Sequence, residues 1–208
     1  MRNYAVFVKL LGFSLSLFLL FACGKQDYVV EHVKDFRFHI ETEDEDILQA
    51  INLIVDTYND EMGFDIISLA ESEHDANSSV SFLHGIRAEN NILGYGHWKT
   101  VVTEEGKDFI PSKKKLRRSI HYSMDLEFDF DNFKEKSQDI HDHNSGAWAH
   151  LYHLFSHEVG HGLQMTHEDN ITSVMYMSIP DNSRPDVDYP AYFSNVRFLI
   201  SEETNTSH

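Results

Sequence analysis

The stretch His157-Glu158-Val159-Gly160-His161-Gly162-Leu163-Gln164-Met165-Thr166-His167 decides how this chain is read. Around it Leu151, Leu154, Phe155, Val159 and Leu163 recur at helical spacing, which predicts a helix running to about Gln164. On that helix His157 and His161 stand at i and i+4, one turn apart on the same face, so both imidazoles reach one ion. Glu158 is beside the first histidine and points to the flank of that ion, where a carboxylate can hold and deprotonate a water. A catalytic ion of this kind keeps three protein ligands and one open position. His167 lies six residues beyond His161. On a continuous helix it would sit about 9 Å further along the axis, out of range. For His167 to join the site, the helix must end and the chain must turn back.

These residues resemble the long zinc signature of the metzincin peptidases, His-Glu-x-x-His-x-x-Gly-x-x-His, which is followed by a methionine-containing turn. Ser173-Val174-Met175-Tyr176 is similar to that turn, with Met175 eight residues after His167. The Met-Tyr pair is matrixin-like. Met177 stands where other branches carry a tyrosine that can ligate zinc, so no tyrosine ligand is expected. The chain departs from the family at Gln164, which replaces the glycine of the helix break. A glutamine held there in the left-handed conformation costs about 1 kcal/mol or somewhat more, which metal binding to three histidines can offset.

The resemblance implies an α+β fold: a metzincin-like zinc peptidase domain with a mixed twisted sheet, an N-terminal helix, an active-site helix and a C-terminal helix. It implies one catalytic Zn2+ held by His157, His161 and His167, with Glu158 as general base and Met175 as apolar support beneath the metal. By the same analogy residues 92–98 form the strand above the cleft and residues 176–180 line the specificity pocket. Residues 190–202 form the closing helix, with Ala191, Val196, Leu199 and Ile200 on its apolar face. The expected activity is zinc-dependent endopeptidase action on a protein or peptide substrate. The competing expectation is a non-catalytic, zinc-containing envelope lipoprotein that binds a peptide or protein partner. Glu158 argues against it, because a purely structural site has no use for a base.

Outward from the motif, residues 35–40 alternate apolar and polar, as a half-buried strand does. Thr42 and Glu45 suggest a capping box. Ile47, Leu48, Ile51, Ile54, Val55 and Tyr58 then predict a helix that Gly63 ends. Strands are expected at 64–69 and 80–86, with a polar loop at 75–79. The segment 92–98 contains Gly94 and Gly96, which permit a bulge or close backbone approach. Residues 103–119 read as a polar connection carrying Lys113-Lys114-Lys115-Leu116-Arg117-Arg118. That basic cluster is expected to be solvated, with substrate or anionic lipid contact as the alternative. In 120–130, Asp125, Glu127 and Asp129 face one way and Leu126, Phe128 and Phe130 the other, a strand with one wet face rather than a calcium loop. His150 and His153 are expected at the surface, with support of the metal ligands as the alternative. His141 and His143 beside Asp142 offer a second-zinc alternative to a plain polar loop.

The chain has 208 residues, 34 acidic against 17 basic, for a net charge of −17. Such a surface argues against nucleic acid as a partner, since phosphates call for Lys and Arg. Residues 1–23 read as a signal segment: Arg2 and Lys9 precede an apolar run of about 12 residues, too short at 1.5 Å per residue to span a bilayer. Leu20-Phe21-Ala22-Cys23-Gly24 resembles a bacterial lipobox, and Cys23 is the only cysteine of the chain. The resemblance implies a lipidated Cys23 and a lipid-anchored place in the bacterial cell envelope, facing the periplasm or on the outer membrane. Residues 24–35 are expected to be a tether and 36–208 a single catalytic domain.

Overall fold

The computed structural model describes residues 28–86, 92–108, 115–140, 145–177 and 187–201. In chain order its elements are β1 (Tyr28–Val33), β2 (Phe36–Ile40), α1 (Glu45–Met62), β3 (Ile67–Leu69), a 3-10 turn (Glu73–Asp75), β4 (Ser78–Leu83), β5 (Gly94–Asp108), β6 (Lys115–Asp129), α2 (Phe130–Ser137), α3 (Gly146–Gly162) and α4 (Tyr189–Ser201). The chain divides into two compact units, residues 1–30 with 104–118, and residues 31–103 with 119–208. The first unit is described only as strand: the start of β1, the end of β5 and the start of β6. The signal segment and Cys23 lie outside the described residues, as do His141, His143, Lys113 and Lys114. No helix among the described residues is long and apolar enough to cross a membrane.

The second unit is α+β, as expected, built on a mixed sheet. Its strands run in the order β6-β4-β2-β3, with β5 paired to β6. β2 lies parallel to β3 on one side (Phe36 opposite Ile67) and to β4 on the other (Ile40 opposite Val80). Parallel neighbours need a crossover, and α1 supplies it between β2 and β3. β4 is parallel to β6, and its register sets Val80 opposite Leu126 and Phe82 opposite Phe128, so apolar side chains share one face. The pair that precedes them, Ser79 and Asp125, is hydrogen-bonded hydroxyl to carboxylate at 2.9 Å.

Helix α1 forms where the periodicity places it, and Ile47, Ile51, Ile54, Val55 and Tyr58 are buried. Its cap differs from the expected Thr42–Glu45 box. Asp44 caps instead, accepting from the N–H groups of Asp46 at 3.1 Å and Ile47 at 3.2 Å, while Thr42 accepts from the N–H of Asp44. A carboxylate at the helix N-terminus also meets the favourable end of the dipole, and Lys134 bridges Asp44 and Asp46 at 2.7 Å each. Gly63 ends the helix at φ 80°.

Several strands shift from their expected bounds. The segment 64–69 is strand only at Ile67–Leu69, because the Asn59 side chain takes up the N–H groups of Ile66 and Ile67 and donates to the Ile67 carbonyl. The polar stretch 103–119 is largely strand, since β5 continues to Asp108 and β6 starts at Lys115. Ladder pairing satisfies backbone groups whatever the side chains are. Within the stretch read as a tether, the β-branched run of Val29, Val30 and Val33 forms β1. Asp129 leaves the wet face of β6: it is 3 % exposed and caps α2 by accepting from the N–H of Asn132 at 2.9 Å.

The core lies where α1, α2, α3 and α4 meet β6. Tyr58 packs edge-on against Phe155 and Phe193, and Phe128 packs against Phe133 and Phe155. The buried face of α4 is Tyr192, Phe193 and Val196, whereas Ala191 of the expected face is exposed. Two large rings cover more of α1 and α3 than alanine can.

Candidate metal centre

Ser145 starts α3 by accepting from the N–H of Trp148 at 3.0 Å. Every residue from 150 to 160 is buried, so the helix runs through the unit rather than along its surface. His150 and His153 are therefore inside, at 2 % and 4 % exposure, and the surface expectation for them is corrected. His150 Nε2 meets Asn132 Oδ1 of α2 at 3.0 Å. The His153 ring stacks on His157, one turn along, and stands edge-on to Tyr189.

The turn that the motif requires is present. Gln164 takes φ 65°, the one non-glycine residue at positive φ among those described. Around it the Gln164 N–H donates to the His161 carbonyl and the Met165 N–H to the Gly160 carbonyl, both at 2.9 Å. These two bonds make a Schellman ending with glutamine in the glycine position. The chain reverses there and brings His167 back to the helix. His161 Nε2 lies 3.1 Å from His157 Nε2 and 3.1 Å from His167 Nε2, and one ligand atom of each histidine lies within 4.8 Å of the others.

The donor chemistry fits a cation. His157 Nδ1 is 2.8 Å from the Val174 carbonyl, and His161 Nδ1 is 3.0 Å from the Met165 carbonyl. A carbonyl only accepts, so each Nδ1 carries the proton and each Nε2 presents a lone pair. Lone pairs 3.1 Å apart repel unless a positive charge stands between them. Two nitrogens bound to zinc at 2.0–2.1 Å with a tetrahedral angle lie about 3.3 Å apart, close to the observed spacing. Backbone carbonyls behind the rings are the usual way a ligating imidazole is oriented.

The loop that supplies one of these carbonyls is closed on itself. Glu168 N–H donates to the Met175 carbonyl at 2.9 Å, and Glu168 bridges Tyr176. The Asn170 carboxamide oxygen accepts from both the N–H and the hydroxyl of Thr172, and Ser173 Oγ accepts from the Met175 N–H. Met175 is fully buried against Gly160, where an added Cβ would meet its sulfur at 2.3 Å. The methionine thus lies under the helix turn that bears His157 and His161.

Burial sets the proton affinities. Desolvation holds the His157 imidazole down at about 4 and lowers His161 in the same direction. His157 therefore stays neutral and able to bind metal at mildly acidic pH. Glu158 is 4 % exposed, and burial pushes its carboxyl up to about 8. Its Oε2 is buried with no hydrogen-bond partner among the described residues. A cation nearby would favour the charged carboxylate and oppose that rise.

Sequence reasoning singled out the three histidines, Glu158 and Met175, and the structure brings the histidines together. It missed the carbonyls of Val174 and Met165, which carry no side-chain signature. It also missed Tyr192, whose hydroxyl donates to the Ser156 carbonyl at 2.6 Å, one residue before His157, and meets the Tyr58 hydroxyl at 3.0 Å. The expected strand at 92–98 does approach α3: a Cβ on Gly96 would lie 2.1 Å from the Glu158 carbonyl oxygen. Of the expected pocket wall, Tyr176 is half-buried and Met177 is 71 % exposed, and residues 178–180 lie outside the described part. No protein-family model matches the chain, and no curated protein matches it.

Proposed function

We propose that the chain is a zinc-dependent metalloendopeptidase of metzincin type, nearest the matrixins, with His157, His161 and His167 holding the ion. The observation that carries this reading is the convergence of three imidazoles, two with Nδ1 on backbone carbonyls, beside a buried carboxyl whose Oε2 has no hydrogen-bond partner among the described residues. A zinc ion held by these three histidines would supply Lewis acidity, polarising a carbonyl and acidifying water. Glu158 would accept a proton from the water that adds to the scissile carbonyl carbon and return it to the amine as the C–N bond breaks. His153 and the two carbonyls keep the rings in place and move no proton. Export and lipid attachment through Cys23 remain part of the proposal, and replacing Cys23 by Ser would remove incorporation of labelled fatty acid.

The experiment is Glu158→Gln, with bound zinc and hydrolysis of a peptide library measured together. Zinc stoichiometry is expected to hold while kcat falls about 10²–10⁴-fold, the usual contribution of a general base. Cleavage by the variant at the wild-type rate would sink the mechanism. Full zinc binding without cleavage by the wild-type chain would favour the partner-binding lipoprotein instead.

A further inference from the structure

The proposed base is held by packing. Glu158 lies on α3 where β5 crosses it, and two glycines of that strand face the residue. At Gly96 an added Cβ would stand 2.1 Å from the Glu158 carbonyl oxygen and 3.0 Å from the Gly162 nitrogen, so this glycine lets the strand and helix backbones touch. Gly94, two residues earlier and on the same face of the strand, meets the side chain. Its added Cβ would stand 3.0 Å from Glu158 Cγ, 3.0 Å from Oε1 and 3.1 Å from the Glu127 carbonyl oxygen. On the far side of the carboxyl, Oε2 is buried with no hydrogen-bond partner among the described residues.

We infer that Gly94 is a positioning residue for Glu158: the bare Cα at this place sets where the carboxyl sits, and it does so for this chain's base rather than for its metal ligands. The inference rests on the peptidase reading for its consequence in catalysis, but the contact itself is testable without it. The physical reason is a choice of what yields. A methyl group at 94 is pressed from one side by the β6 backbone at Glu127, which is held in register against β4 (Ser81 opposite Glu127). On the other side is the end of a side chain whose Oε2 has no hydrogen-bond partner among the described residues to anchor it. The carboxyl gives way. His157 and His161 are held from elsewhere, through the Val174 and Met165 carbonyls, and do not move with it. General-base efficiency depends on a hydrogen-bond reach of about 2.6–3.2 Å, so a displacement of a few tenths of an ångström counts.

The test is a double-mutant cycle on the full chain, with Gly94→Ala, Glu158→Ala and the double variant read first as metal-free melting temperature. If the added methyl meets mainly Glu158, Gly94→Ala lowers the melting temperature in the wild-type background and leaves it unchanged in Glu158→Ala, which lacks Cγ and Oε1. An equal loss in both backgrounds assigns the strain to the Glu127 backbone and overturns the inference. This arm stands even where Gly94→Ala folds poorly, because the double variant is then expected to recover. The second reading uses zinc-loaded and cobalt-loaded protein. Gly94→Ala is expected to keep full metal stoichiometry, shift the cobalt absorption bands in the direction that Glu158→Gln shifts them, and lower kcat about 10–100-fold with KM within about twofold. In the Glu158→Gln background the same substitution should change residual activity less than about twofold. A wild-type kcat in Gly94→Ala, or an equal fractional loss in both backgrounds, overturns the role. If Glu158→Gln is itself fully active, the peptidase mechanism fails, and the melting-temperature cycle still decides whether Gly94 places the carboxyl.

Discussion

At Gln164 the backbone holds φ 65° with a Cβ attached, and the side chain is exposed to solvent. An L-residue pays roughly 1–2 kcal/mol for that conformation, and glycine returns part of the gain through its freedom in the unfolded chain. Gln164→Gly is therefore expected to stabilise the protein by about 0.5–1 kcal/mol in chemical denaturation. No change, or a loss, would show that the glutamine side chain contributes something of its own. Glu158 permits a sharper test through pH. Its folded pKa of about 8 lies above the ordinary 4.5. The folded metal-free chain thus keeps a proton that the unfolded chain releases, and stability falls as pH rises across that window. Glutamine does not titrate. Metal-free Glu158→Gln is expected to melt above wild type at pH 8, with the gap closing towards pH 5. His157 works in the opposite sense, with a folded pKa of about 4 below the usual 6.5. Its contribution is present above pH 6.5 and is lost as pH falls towards 4, in wild type and variant alike.

At the scale of elements, α3 is positioned by what touches its back. Tyr192 of α4 ties the Ser156 carbonyl to Tyr58 of α1 through two hydroxyls, all buried. Tyr192→Phe leaves the Tyr58 hydroxyl without that partner in a closed core, a loss of about 1–3 kcal/mol. Equilibrium unfolding measures it, and a neutral result would mean that the helix tolerates a looser α4. Gly160 and Met175 form the other support. The helix itself was legible, because Leu151, Leu154, Phe155 and Val159 repeat at its period and all four are buried. Its burial on every side was not, and that is why His150 and His153 were misplaced. A helix whose polar residues are also buried looks amphipathic until its neighbours are known. β5 and β6 were underestimated for a related reason, since polar side chains do not prevent a ladder of backbone bonds.

For the molecule as a whole, an ion held by the three histidines would link metal and fold. A ligand that binds only the folded chain stabilises it by RT ln(1 + [L]/Kd), about 4 kcal/mol at a thousandfold excess over Kd. At roughly 2–4 °C per kcal/mol for a chain of this size, chelation should lower the melting temperature by roughly 8–16 °C, and added zinc should restore it. An unchanged melting temperature would mean that the three histidines hold no ion in solution. The three candidate ligands were readable in the linear chain because helical pitch alone puts His157 and His161 on one face, and because a third histidine and a methionine follow at fixed spacings. Local geometry needs nothing from the rest of the molecule. Whether His167 reaches the other two depended on a left-handed turn at a residue that resists it. The orientation of the rings depended on carbonyls of Val174 and Met165, and the place of Glu158 on a strand that crosses the helix from more than 60 residues earlier in the chain. The Val174 and β5 contacts join parts of the chain distant in sequence, while the Gln164 turn and the Met165 carbonyl are backbone geometry; none is visible in side-chain identity, and only the tertiary structure decided them.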